Sequence, residues 1–184
     1  MPGPLRVLVA VALCLPVGVM SARSAGAANT VVPKCKSFGG TQTYTPGLPP
    51  TSQPTKLVSP VTKTNGAFTQ CTGGGITKGT VTGSTTATKG TNCTKLLASL
   101  GKPGAQTKTK VKWSNGQTST STTFMTVTGV NGGSIKAKLV FKTTAGLGKG
   151  HTTTIEVLAT PNAGWCNQKP LNKVTFKSTK ITST

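Results

Sequence analysis

Acidic side chains are almost missing from this chain: Glu156 is the single carboxylate among 184 residues, against nineteen lysines and two arginines. That scarcity removes whole classes of chemistry. Glycoside hydrolysis by a carboxylate pair needs a second acid across the scissile bond, and none is present. Aromatic residues are few as well, five Phe, two Trp and one Tyr, so a platform for stacking bases or sugars has little to draw on. Trp113 and Trp165 read as packing residues. There is one histidine, His151, so a metal site on the cysteines would have a single imidazole to join them, and no two of those cysteines are close in sequence.

A Ser/His/acid arrangement would have to unite His151 with Glu156. The two are five positions apart in what reads as one strand, so alternation turns their side chains to opposite faces. His151 therefore reads as a strand-start residue beside a glycine-rich loop, and Glu156 as a cross-strand partner for lysines. Gly73-Gly74-Gly75 lacks the following Gly-Lys-Ser/Thr of a phosphate loop and reads as a turn. No catalytic residue, cofactor or metal site is expected, and the chain reads as a non-enzyme.

Long apolar runs are also lacking, with one exception at the start. Residues 1–6 are short and basic, residues 7–20 are apolar, and residues 21–28 are small and polar, ending in Ala25-Gly26-Ala27-Ala28. This is the pattern of a secretory signal peptide over residues 1–28. Its apolar stretch falls short of the roughly 20 residues a transmembrane helix needs. No later stretch approaches that length, so residues 29–184 are expected to form one secreted domain, extracellular or associated with the cell envelope, with no transmembrane segment. Both arginines, Arg6 and Arg23, leave with the signal, so the exported product carries about +18, entirely on lysine.

Cys14 lies in the signal, which leaves Cys35, Cys71, Cys93 and Cys166. An even count in an exported chain predicts two disulfides, with three pairings open. We favour Cys71 with Cys93, which closes a hairpin-sized loop, and Cys35 with Cys166, which ties the start of the chain to its end; spacing alone dictates neither.

Threonine and glycine dominate what is present. Thr occurs 36 times and Gly 23 times, while helix-forming stretches are confined to one turn at residues 94–100. Elsewhere short alternating runs are divided by Gly, Pro and Asn. Strands are expected at residues 38–45, 56–63, 67–72, 76–88, 107–113, 118–130, 134–142, 151–159 and 173–181, with a short piece at 165–167. Thr109, Val111 and Trp113 face inward in one strand, and Ile135, Ala137, Leu139 and Phe141 in another. Asn115-Gly116 predicts a tight turn of the primed type. The fold class is all-β: an antiparallel β-sandwich, immunoglobulin-like, or a partly closed β-barrel of about 8–10 strands.

The order of features resembles a known set. An early Cys35, Gln70-Cys71-Thr72-Gly73-Gly74-Gly75, Asn92-Cys93, Trp113-Ser114-Asn115-Gly116-Gln117-Thr118-Ser119 and a late Cys166 before Val174-Thr175-Phe176 are similar to small secreted β-rich proteins of unknown function found in actinobacteria. The resemblance covers nearly all of the mature chain. It implies a fold and a disulfide frame, and no activity.

The lysines are the functional candidates. Lys108, Lys110 and Lys112 alternate in one strand, and Lys136, Lys138 and Lys142 in another, with one strand between them, so all six are expected on one outer face. Such a face binds anionic polymers of the cell envelope or the extracellular space without a shaped site. Without arginine forks it offers no sequence-specific reading of nucleic acid. The alternative is a passive structural or protein-interaction module whose lysines serve solubility and edge protection.

Overall fold

The computed structural model describes residues 31–86, 91–98, 101, 106–131, 133–161 and 169–184. Eight antiparallel strands form a closed barrel in chain order: β1 (Lys34–Leu48), β2 (Val61–Thr72), β3 (Gly79–Thr86), β4 (Thr107–Trp113), β5 (Thr118–Asn131), β6 (Ser134–Gly146), β7 (Thr152–Pro161) and β8 (Leu171–Ser183). Each strand pairs with the next, and β8 returns to β1 through partners such as Gly39 with Lys177 and Thr43 with Lys173. The Ser178 hydroxyl accepts a 2.8 Å bond from the Phe38 N–H on the same seam. A sandwich is thereby overturned, and the barrel is fully rather than partly closed. Closure leaves these strands without an open edge and gives every one a single inside and a single outside.

The expected break near residue 65 is absent. One strand, β2, runs through Asn65-Gly66, because Gly66 faces Phe38 closely: a Cβ there would lie 2.9 Å from the Phe38 ring. Only Gly leaves room for the ring, so the residue that looks like a turn signal is a packing device. Residues 56–60, expected to be strand, are not, and β6 extends past Lys142 to Gly146. The Asn115-Gly116 turn is also corrected. Gly116 alone has positive φ, 84°, and its N–H bonds the Trp113 carbonyl at 3.0 Å, so the loop is an ordinary turn followed by a left-handed glycine rather than the primed form.

The expected helical turn is α1 (Cys93–Ala98), in the connection between β3 and β4. The Asn92 side-chain Oδ1 accepts from the Lys95 N–H at 2.9 Å, satisfying one of the helix's unpaired donors. Leu96 then packs against the barrel interior at the end where β1 leaves and β8 begins. Tyr44 lines the same end, and burial pushes its phenol above the ordinary value.

Alternation fills the barrel. Thr109, Val111 and Trp113 point inward as expected, as do Ile135, Ala137, Leu139 and Phe141. Phe38, Phe68, Phe141 and Trp113 form a ring cluster, with Phe38 and Phe68 centroids 5.0 Å apart and Phe68 stacked on Trp113 at 5.8 Å. Threonine and serine complete the core by pairing their hydroxyls. Thr109 and Thr123 hydroxyls meet at 2.7 Å; the Trp113 indole N–H donates to Ser119 Oγ at 2.7 Å, and that hydroxyl donates to the Leu147 carbonyl at 2.6 Å. A buried hydroxyl without a partner would be costly, and these have partners.

The favoured disulfide pairing is wrong. Cys35 is bonded to Cys71, its direct cross-strand neighbour in the β1–β2 register, with Cα atoms 3.9 Å apart. One hairpin thus uses a cysteine from each of the two expected bridges. Cys93 is likewise disulfide-bonded; Cys166 lies outside the described residues, as do residues 1–28 and 165–167.

Two measurements check this account. Peptide mapping without reductant should recover a Cys35–Cys71 cross-linked pair, and replacing both by Ser should cost about 2–4 kcal/mol in urea unfolding. Ser119→Ala should cost about 1–3 kcal/mol, because it strands the Trp113 N–H inside the barrel.

Candidate functional site

Three places in the barrel merit comparison, and their sizes separate them. At the end formed by the β1 start and the β6–β7 loop, a cavity of about 30 Å³ lies between Phe68, Phe141 and the hydroxyls of Ser121, Thr143 and Ser183. That volume holds about two waters. Val32 and Pro33 cover it, and His151 lines it. At the opposite end the apolar space beside Tyr44 is about 10 Å³. Both are packing gaps, so the barrel interior is filled by its own side chains. The third place is on the outer wall: an open depression of about 440 Å³ bounded by Lys63 and Asn65 on β2, Thr82 and Ser84 on β3, and Lys108 and Lys110 on β4.

The depression follows from residue size on neighbouring strands. Small residues on β3 are flanked by long ones on β2 and β4. Strands are about 4.8 Å apart, so Lys63 and Lys108, two strands apart, stand roughly 10 Å from each other across the trough. Register aligns the rows: Ser84 is opposite both Lys63 and Lys108, and Thr82 is opposite Asn65 and Lys110.

Beyond the trough the same rows continue onto β5. Lys112, Lys110 and Lys108 pair with Thr118, Thr120 and Thr122. On the β3 side the same lysines pair with Thr80, Thr82 and Ser84. A ladder of three ammonium groups on β4 is therefore bordered on each side by a ladder of hydroxyls. Like-facing residues in a strand are about 6.7 Å apart, which sets the repeat of the ladder.

All six expected lysines lie exposed on the outer wall, but they do not form one compact patch. Along β5, the β4 ladder sits beside residues 118–122, while Lys138 and Lys136 sit beside Thr126 and Gly129. Lys142 joins the two sets opposite Thr122, and its ammonium lies 5.6 Å from the Phe124 ring centre, a cation–π contact. Glu156 belongs to the second set. Register puts it between Lys138 on β6 and Lys180 on β8, so the chain's one carboxylate offsets charge there and leaves the β4 ladder without an acid beside it.

His151 and Glu156 fall on opposite sides of the barrel wall, His151 against the inner cavity and Glu156 outside. Lysines stand at several heights along the outer wall, from Lys34 and Lys112 at one end to Lys136 and Lys173 at the other, and Phe124 lies on that wall beside Lys142, while Phe38, Phe68, Trp113, Phe141 and Phe176 pack inside. Sequence reasoning missed Lys63 and the hydroxyl rows. Their signal was there in part: the Thr-Lys alternation of residues 107–112 lies close to the alternating Ser/Thr of residues 118–122, although only pairing shows that they align. Protein families, characterised proteins and solved structures were compared with this chain, and none matches.

The uncompensated ladder has a stability consequence. Two charges 6.7 Å apart repel by about 0.6 kcal/mol in water before salt screening. Lys110 has two such neighbours. Lys110→Gln should therefore stabilise the barrel by about 0.5 kcal/mol at low salt, and thermal melts in about 0.5 M NaCl should erase the difference.

Proposed function

We propose that this protein is a secreted, non-enzymatic cationic barrel that associates through its lysine-rich outer wall with anionic polymers of the cell envelope or extracellular space. The observation that carries the reading is the β4 ladder: three exposed lysines at regular spacing, no facing carboxylate, and an open trough beside them. Keeping like charges together costs stability, as argued above, and an anionic ligand offsets that cost. The small interior cavities and the separation of His151 from Glu156 support binding on the outside over chemistry within.

Export is supported by the pattern of residues 1–28 and by the Cys35–Cys71 disulfide, since such bonds persist in oxidising compartments. The resemblance to small secreted β-rich proteins of actinobacteria points the same way. The second reading is a passive module whose lysines maintain solubility. Their presence at several heights along the wall favours it, because a solubility device needs no particular row.

Retention on purified envelope or an anionic resin separates the two. Binding should be released by rising salt and lost when Lys108, Lys110, Lys112, Lys136, Lys138 and Lys142 are all changed to Gln. A protein that passes through at physiological salt, or that binds unchanged after those substitutions, would sink the reading.

A further inference from the structure

Resting on the polyanion-binding reading above, we infer that the β4 ladder takes a linear polymer of phosphodiester-linked polyols lying along the strand, one phosphate to each row. The argument begins with spacing. The ladder repeats about every 6.7 Å, the advance of two residues in a strand. An extended chain advances about 1.2 Å per bond, so phosphates separated by six single bonds, as across a three-carbon polyol, recur about every 7 Å. Successive phosphates then meet successive lysines without strain in either chain.

The composition of each row fits the same group. A row places one ammonium between two hydroxyl residues, as Lys110 stands between Thr82 and Thr120. Lysine binds phosphate as a point charge, and Ser/Thr hydroxyls commonly donate to phosphate oxygens. A carboxylate polymer would instead be matched by planar arginine forks, and both arginines fall in residues 1–28. The trough adds Lys63 across from Lys108, so the polymer is held from two sides at that row. Single-stranded nucleic acid has the same six-bond repeat. It is disfavoured because the trough residues are Lys, Asn, Thr, Ser and Gly, with no aromatic ring for a base to stack on. The second lysine set lacks these features. Glu156 adjoins Lys138, and Lys136 is opposite Leu158 and Gly129 rather than hydroxyls.

A glycerol-phosphate oligomer of about eight repeats, labelled at one end, is the probe. The full mature chain should bind it at least tenfold more tightly than polygalacturonate of equal charge, with log affinity falling against log salt at a slope near −2 to −3. Lys108→Gln with Lys110→Gln and Lys112→Gln should lower affinity at least tenfold and flatten that slope by about two. Lys136→Gln with Lys138→Gln and Lys177→Gln removes the same charge elsewhere and should cost less than threefold. Thr82→Val with Thr120→Val, which alters no charge, should cost about threefold to tenfold. Equal losses in the two lysine triples, or equal affinity for polygalacturonate, would overturn the row-by-row assignment while leaving electrostatic binding intact. A single-stranded oligonucleotide of equal phosphate number that bound tenfold tighter than the polyol would overturn the choice of polymer. If no polyanion bound at all, the functional reading beneath it would fail as well.

Discussion

Pairing of β8 with β1 is the constraint on which the other features of this barrel depend. Until the seam forms, each strand has two faces of undecided role. Once it forms, one face of every strand is enclosed and the other meets water, and the period of two sorts small and polar residues along with large ones, re-phased at the register shifts between β5 and β6 and between β7 and β8. Lysine goes outside because an ammonium inside would be unpaired in an almost acid-free chain. Threonine goes to both sides. It can do so because its methyl packs and its hydroxyl finds another hydroxyl, as between Thr109 and Thr123 inside, while on the outer wall the hydroxyl faces water or bonds a neighbour, as Thr179 does to the Glu156 carbonyl.

Closure also explains how a core with so few aromatics suffices. Eight strands give an interior just wide enough for side chains to fill. Four rings at one end and a helix turn at the other occupy it, and the gaps beside them among the described residues hold at most about two waters. Glycine sets the fit at two places against the ring cluster. A Cβ at Gly79 would lie 2.5 Å from the Trp113 ring, as one at Gly66 would crowd Phe38. Large residues on one strand are therefore matched by absent ones on its neighbour, and the aromatic cluster and the glycines are one packing solution.

Much of this was legible in the chain. The inward and outward residues of β4 and β6 follow from alternation alone, and so do the strands they lie on. The points that were not legible share a physical cause: each depends on which strands become neighbours. Alternation is the same in a sandwich and a barrel, so it cannot distinguish them. Gly66 looks like a break until Phe38 is seen across from it. Cys35 and Cys71 become partners only when β1 and β2 pair in register, whereas 36 residues of separation suggest nothing of the kind. The layout of the lysine face depends on pairing in the same way. Its residues were correctly turned outward, but the offset along β5 that divides six lysines into two sets is a property of register.

The division into two sets gives the composition its sense. An acid-poor surface is ordinarily a matter of net charge, which acts at a distance and falls off within a Debye length of about 10 Å at 0.1 M salt. Neighbouring lysines on β4 are closer than that, so each senses the others. The single carboxylate is placed where it offsets Lys138 and Lys180, and it cannot serve the ladder as well. Adding acids across from β4 would relieve the repulsion and at the same time fill the row with an internal counter-ion, leaving nothing for an external anion to do. Lysine in place of arginine acts in the same direction, because a strongly hydrated point charge does not lock onto planar partners and keeps its three donors free to turn. The scarcity of acid and of arginine, which at the level of composition only excludes chemistry, is at the level of register what keeps the outer rows open.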